Sequence, residues 1–279
     1  MLEKLGLGTV QFGQAYGVSN QRGQVPKEEA ALILRQAGES GIRLLDTAAN
    51  YGEAEGVLAS LATSSFRIVT KTINLSHGLD RVITRARQSA SSLKADTLLV
   101  HAASDLRNTE GDALWSALQK LKAEGVFRKI GISAYIADDP VALAERCRPD
   151  VMQLPFSLLD QRLLADGTLT RLKDQGVEVH ARSLFLQGLL FMEILPVKLR
   201  HAAPHLAYIR ENLKNAGATP VAAALSFVLS RPEIAFGLVG VTSAEELQEI
   251  IAAAKAPLPQ LDWPSFALKD ELVLTPSLW

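Results

Sequence analysis

The chain of 279 residues is 48% hydrophobic with a formal net charge of −1, which excludes intrinsic disorder and leaves no basic footprint for nucleic acid. Cys147 is the only cysteine, so an internal disulfide and a cysteine-based metal centre are excluded, and no metal site is expected. No stretch approaches the roughly 20 apolar residues that span a bilayer; with no apolar leader core in MLEKLGLGTVQFG, a soluble, cytoplasmic protein is expected.

Short β-type runs alternate with longer helical patterns along the chain. The runs are KLGLGTVQ, IRLLDT, FRIVTK, DTLLVH, RKIGIS, DVMQLP, VEVHAR and AFGLVG. Helical segments between them include PKEEAALILRQAGESG, HGLDRVITRARQSASSLK, NTEGDALWSALQKLKAEG and LADGTLTRLKDQG. In the second, Leu79, Val82, Ile83, Ala86 and Ala90 recur at helical spacing. Asn108 and Thr109 are candidate caps of the third, and Gly125 its stop.

Such alternation gives either a closed parallel barrel or an open doubly wound sheet. A dinucleotide-binding open sheet needs G-x-G-x-x-G between its first strand and first helix. Here Gln11 stands where the third glycine should fall, and the helix begins only near Pro26. The expected fold is therefore an α/β (β/α)8 TIM barrel, a single domain over 1–279. Two regions break its rhythm. SLFLQGLLFMEILPVKLRHAAP is long for a barrel loop and is expected to fold over a ligand. The segment after Ala256, with Trp263, Phe266 and Trp279, is expected to pack as ordered coil.

Asp46, Lys71 and His101 close three successive β-type runs, and Tyr51 follows Asp46 in a turn. The C-terminal strand ends of a parallel barrel share one rim, so these four groups can converge. An ammonium beside the phenol stabilises the phenolate left after proton donation, and a carboxylate holds that ammonium charged. With His101 positioning a carbonyl oxygen, Tyr51 can supply its proton while a nucleophile attacks the carbon. A hydride nucleophile must come from a cofactor, because no side chain supplies one.

These residues resemble the aldo-keto reductase superfamily of NAD(P)H-dependent (β/α)8 barrels. LLDTAANYGEAE matches its D-T-A-x-x-Y-G-x-x-E signature, VTK and LLVHAASDL supply the lysine and histidine, and the likeness runs nearly end to end. The resemblance implies that Tyr51 is the general acid, completed by Asp46, Lys71 and His101. It implies that Ser133 and Gln153 bind the nicotinamide carboxamide, and that Gly8 and Thr9 lie under the nicotinamide ribose beside Asp46. Arg182, followed by Ser183, stands where an aromatic often stacks on the nicotinamide. Gly240, Thr242, Ser243 and Glu246 fall in the segment around the adenosine phosphate.

Several positions depart from the family pattern. Ala134 replaces a common Asn, and Ala102 and Ala103 replace Trp-Pro, opening one wall of the substrate pocket. Glu246 and Gly240 stand where NADP-dependent members place Arg and Lys. NADP(H) is the expected cofactor, with NAD(H) or dual use as alternatives, and a small-molecule carbonyl or alcohol is the expected substrate. Phe12, Tyr16, Phe156, Phe185 and Phe191 are candidate pocket walls. Two other functions stand beside this one: a Schiff-base aldolase using Lys71, and a non-catalytic nicotinamide-nucleotide-sensing subunit.

Overall fold

The structure is a computed structural model and describes residues 1–257 and 259–279. Eight parallel strands close into one barrel in sequence order. They are β1 (Leu5–Gly8), β2 (Leu44–Asp46), β3 (Arg67–Lys71), β4 (Thr97–Val100), β5 (Lys129–Ser133), β6 (Val151–Pro155), β7 (Glu178–Arg182) and β8 (Ile234–Gly240). Pairing of Gly8 with both Asp46 and Gly240 closes the ring at the rim. Each expected β-type run contains one strand, and the open-sheet alternative is excluded.

The crossover helices form because apolar residues repeat along one face. Helix Lys27–Glu39 buries Ala30, Ile33, Leu34 and Ala37 and carries Glu28 and Glu29 in its first turn, where the helix dipole favours carboxylates. Helix Leu79–Leu93 buries Val82, Ala86, Ser89 and Leu93. Helix Thr109–Ala123 is capped by the Asn108 side chain, which accepts from Gly111 N at 3.0 Å. Three details differ from expectation. KLGLGTVQ is strand only to Gly8, and Val10–Gly13 already forms a helical turn. LADGTLTRLKDQG is broken by Gly167, whose φ of +76° separates two short helices. The C-terminal segment contains the helical turns Trp263–Phe266 and Glu271–Leu274 rather than coil alone.

Alternate residues of a strand point to the same face, and this places the site. Leu44, Val69, Leu99, Val151 and Leu238 pack together as one apolar rung inside the barrel. Two residues further along the same chains stand Asp46, Lys71, His101, Gln153 and Gly240, so the rung above is polar. Below the apolar rung, Glu178 accepts from Arg67 and Lys129 and contacts His180 Nε2 at 2.7 Å. Among the described residues, no helix is long and apolar enough to cross a membrane.

Burial alone would raise the Glu178 pKa, but its bonds to His180, Arg67 and Lys129 hold it well below the usual carboxylate range. A carboxylate depressed in the folded state stabilises the fold above its unfolded pKa, and this is lost as pH falls through the folded value. Glu178→Gln should therefore cost about 1.5–3 kcal/mol at pH 7, the scale of hydrogen bonds to charged groups. Urea unfolding of both proteins should show that deficit shrinking below roughly pH 4.

Candidate active site

Lys71 is 1% exposed and Asp46 5%. A buried ammonium is costly unless it is paired and hydrogen-bonded. Lys71 Nζ donates to Asp46 Oδ2 at 2.7 Å, Thr47 O at 2.9 Å and the Tyr51 hydroxyl at 3.3 Å. Asp46 Oδ1 accepts from Gln153 Nε2 at 2.7 Å. Burial pushes the Lys71 pKa down, but the Asp46 charge, followed by the Tyr51 oxygen, outweighs it and holds Lys71 above its ordinary value. The side chain is a fixed cation.

Tyr51 is positioned by backbone packing. Its N–H donates to Ala48 O at 3.0 Å, and its carbonyl accepts from Ala54 N at 3.0 Å, starting helix Ala54–Ala59. Gly13 lies directly against this turn: a Cβ there would sit 1.8 Å from Tyr51 O. Gly52, with φ +54°, meets Gly13 from the other side. The short helix after β1 and the turn after β2 therefore fit together only through two glycines.

His101 stands edge-on to the Tyr51 ring, with centroids 5.7 Å apart and planes at 81°. Its backbone N–H donates to Thr72 Oγ1 at 3.2 Å. Burial, reinforced by the Lys71 charge, lowers its pKa to about 4. At neutral pH the imidazole is uncharged and can hydrogen-bond a neutral carbonyl.

Asp46, Tyr51, Lys71 and His101 all line one cavity of about 800 Å³. Gly8, Ser133, Gln153, Arg182, Ser183, Gly240, Thr242 and Glu246 line it too. Thr9 and Ser243 lie behind the wall: Thr9 Oγ1 donates to Asp46 O at 3.0 Å, and Ser243 caps helix Ala244–Ala254. The Arg182 guanidinium lies 4.2 Å from the Tyr135 ring centroid and donates to Ala134 O at 3.3 Å. Glu246 turns back on its own loop, accepting from Thr242 N at 2.6 Å and Thr242 Oγ1 at 2.8 Å.

Tyr16, Phe185 and Phe191 line the cavity, as do Ala102 and Ala103. Phe12 and Phe156 do not; both are fully buried in the core. Phe156 packs on Phe227, which packs on Trp263, so this phenylalanine anchors the C-terminal segment instead. The segment after β7 lines the cavity through Gln187, Gly188 and Phe191 and meets the loop after β1. Gln187 Oε1 accepts from Val18 N at 3.0 Å, while Gly188 abuts Ser19. Arg210 ties this segment down through Leu190 O at 3.1 Å and Met192 O at 2.5 Å. Ser183, Leu186 and Gln187 carry positive φ, a strained backbone that clusters at ligand sites.

Sequence reasoning missed Gln11, Tyr135 and Glu249 as lining residues. Gln11 Oε1 is buried without a partner, and its side chain occupies the space beside Gly240. Its displacement of the expected third glycine was the available signal. Among the described residues no cluster could hold a metal ion.

A histidine with a depressed folded pKa makes the fold less stable as pH falls from its unfolded value toward its folded one. The His101 ring should therefore stay neutral from pH 7 to about pH 5, followed as its carbon-bound proton shifts by NMR. Titration near pH 6.5 would contradict this placement.

The pattern of the Aldo/keto reductase family matches residues 4–271. An L-galactose dehydrogenase of Arabidopsis thaliana is 28% identical over 274 residues, covering 89% of this chain and 83% of that protein. A glyoxal reductase of Bacillus subtilis is 30% identical over 176 residues, 60% of this chain and 62% of its own length. The holo form of an aldo-keto reductase from Bacillus halodurans superposes with a TM-score of 0.74 at 20% identity, over 94% of this chain and 90% of that one. The family reduces small-molecule carbonyls with nicotinamide cofactors. The chain belongs to the aldo/keto reductase family and is an oxidoreductase.

Proposed function

We propose that the protein reduces an aldehyde or ketone to an alcohol, or runs the reverse reaction, with Tyr51 as the general acid. The observation that carries this reading is the Lys71 ammonium, which reaches both Asp46 Oδ2 at 2.7 Å and the Tyr51 hydroxyl at 3.3 Å. A carbonyl oxygen placed against Tyr51 and the neutral His101 ring accepts hydrogen bonds from both. As negative charge grows on that oxygen, Tyr51 donates its proton to it. The resulting phenolate is stabilised by Lys71, whose own charge is held by Asp46. In the oxidative direction Tyr51 takes the proton back.

A nicotinamide dinucleotide supplies the hydride when bound. The residues present fit such a group. The cavity holds about 800 Å³, and Gln11 Oε1 and Arg182 Nε are buried in its surroundings without partners. Ser133 and Gln153 would hold the carboxamide, Gly8 leaves bare backbone for close approach, and Gly240 would meet the dinucleotide with the Gln11 side chain beside it. Thr242 and Glu246 would meet the adenosine end; Thr9 and Ser243 would support this wall from behind. Arg182, with Ser183 beside it, would lie against the nicotinamide ring, since guanidinium groups stack on planar systems. Its other face already rests on Tyr135. The resemblance puts NADP(H) first as the cofactor, with NAD(H) as the alternative.

The Schiff-base reading finds no support here. An attacking lysine must be a free amine, whereas Lys71 is held charged above its ordinary pKa. No observation favours a purely sensing role over catalysis.

Tyr51→Phe should keep dinucleotide binding and lower kcat for carbonyl reduction by about 10² or more, the scale of general-acid effects. Turnover close to wild type would reject the assignment. Arg182→Leu should weaken nicotinamide dinucleotides while leaving adenine fragments unaffected, as read by fluorescence titration. Equal weakening of both would remove Arg182 from the ring.

A further inference from the structure

The cavity runs from Tyr51 and His101 past Gln11 and Gly240 to Thr242, Glu246 and Glu249. A dinucleotide whose reactive ring faces Tyr51 must lay its remainder along that path, over the start of helix Ala244–Ala254. A helix start offers free N–H donors and a positive dipole end, which suits a phosphate. In this protein three backbone donors of this turn, at Thr242, Ala244 and Glu246, are already taken. Ala244 N donates to Glu29 Oε1 at 2.7 Å, reaching across 215 residues of sequence. Thr242 N and Oγ1 donate to the two oxygens of Glu246, and Glu246 N donates to Ser243 Oγ at 3.2 Å.

The charge balance points the same way. Two carboxylates, Glu29 and Glu246, sit on the turn, and a third, Glu249, lines the cavity beside it. The only Lys or Arg residues among those lining the cavity are Lys71 and Arg182. Lys71 is bound to Asp46, and Arg182 rests on Tyr135. Arg22 approaches the helix from the surface, but it faces Glu245 at 3.8 Å. A 2′-phosphate carries about −1.5 to −2 charge and needs donors or cations. A ribose 2′-hydroxyl is neutral and can donate to a carboxylate.

We infer that Glu29 is a specificity residue: by occupying the start of helix Ala244–Ala254 with its carboxylate, it selects NAD(H) over NADP(H). This rests on the nicotinamide-dependent reading above and reverses the cofactor order that the resemblance suggested. Glu29 lies on helix Lys27–Glu39, outside the segment where the resemblance places the adenosine phosphate.

The test compares Kd values for NADH and NADPH, measured by nicotinamide fluorescence on the wild type, Glu29→Gln and Glu29→Ala. Wild type should bind NADH at least about tenfold more tightly, ~1.4 kcal/mol. Glu29→Gln removes the charge but keeps an acceptor for Ala244 N, so it should fold normally and tighten NADPH several-fold. Glu29→Ala also frees the N–H and should tighten NADPH further, with NADH changed little in both variants. Calorimetric titration with 2′,5′-ADP against 5′-ADP should give the same order without the nicotinamide.

Wild type binding NADPH as tightly as NADH would overturn the selection while leaving the reductase reading intact. An NADH preference unchanged in both variants would overturn Glu29 as its cause. Binding of neither dinucleotide would overturn the reductase reading itself, and this inference with it.

Discussion

A buried ion pair organises this molecule. Lys71 and Asp46 stand almost wholly out of water, on adjacent strands, above a rung of leucine and valine. Such a pair is tolerable only when every donor and acceptor around it is answered. Thr47 O and the Tyr51 hydroxyl answer the ammonium, and Gln153 answers the carboxylate. Thr9 binds the Asp46 backbone from β1. Four strand ends are thereby tied to one point, and the tyrosine is fixed against a charge whose position is set by the barrel.

Much of that centre is legible in the sequence because it depends on local rules. Alternation along a strand puts Asp46 over Leu44 and Lys71 over Val69, and the barrel rim brings successive strand ends together. The eight strands are legible for the same reason. Phe12 and Phe156 show where the rule fails. An aromatic beside a strand end suits either the cavity or the helix layer, and the C-terminal Trp263 cluster claims Phe156 for the core. The position of Tyr51 depends on Gly13 and Gly52 meeting backbone to backbone, a contact that no single segment reveals.

The end of the cavity lined by Thr242, Glu246 and Glu249 is the least legible part. Glu29 and Ala244 meet only because β8 closes onto β1 and brings their following helices together. Glu246 could be placed in the right loop from its motif position, but not the direction of its carboxylate. That direction depends on Thr242, which supplies two donors four residues earlier. Tyr135 is similar: an exposed aromatic in its own segment, it lines the cavity and carries the Arg182 guanidinium over its ring. Loop residues that act through tertiary contacts leave weak periodic signals, whereas residues at strand ends leave strong ones.

In the proposed reaction this polar rung delivers a proton to a carbonyl oxygen as hydride reaches its carbon. Single-turnover stopped flow on the intact protein tests it most directly, using reduced dinucleotide, protiated or deuterated at the transferred position, and a panel of small aldehydes and ketones. Stoichiometric oxidation of the dinucleotide, alcohol as product and slower oxidation of the deuterated form are the expected results. Tight dinucleotide binding with no oxidation by any carbonyl in the panel would contradict it.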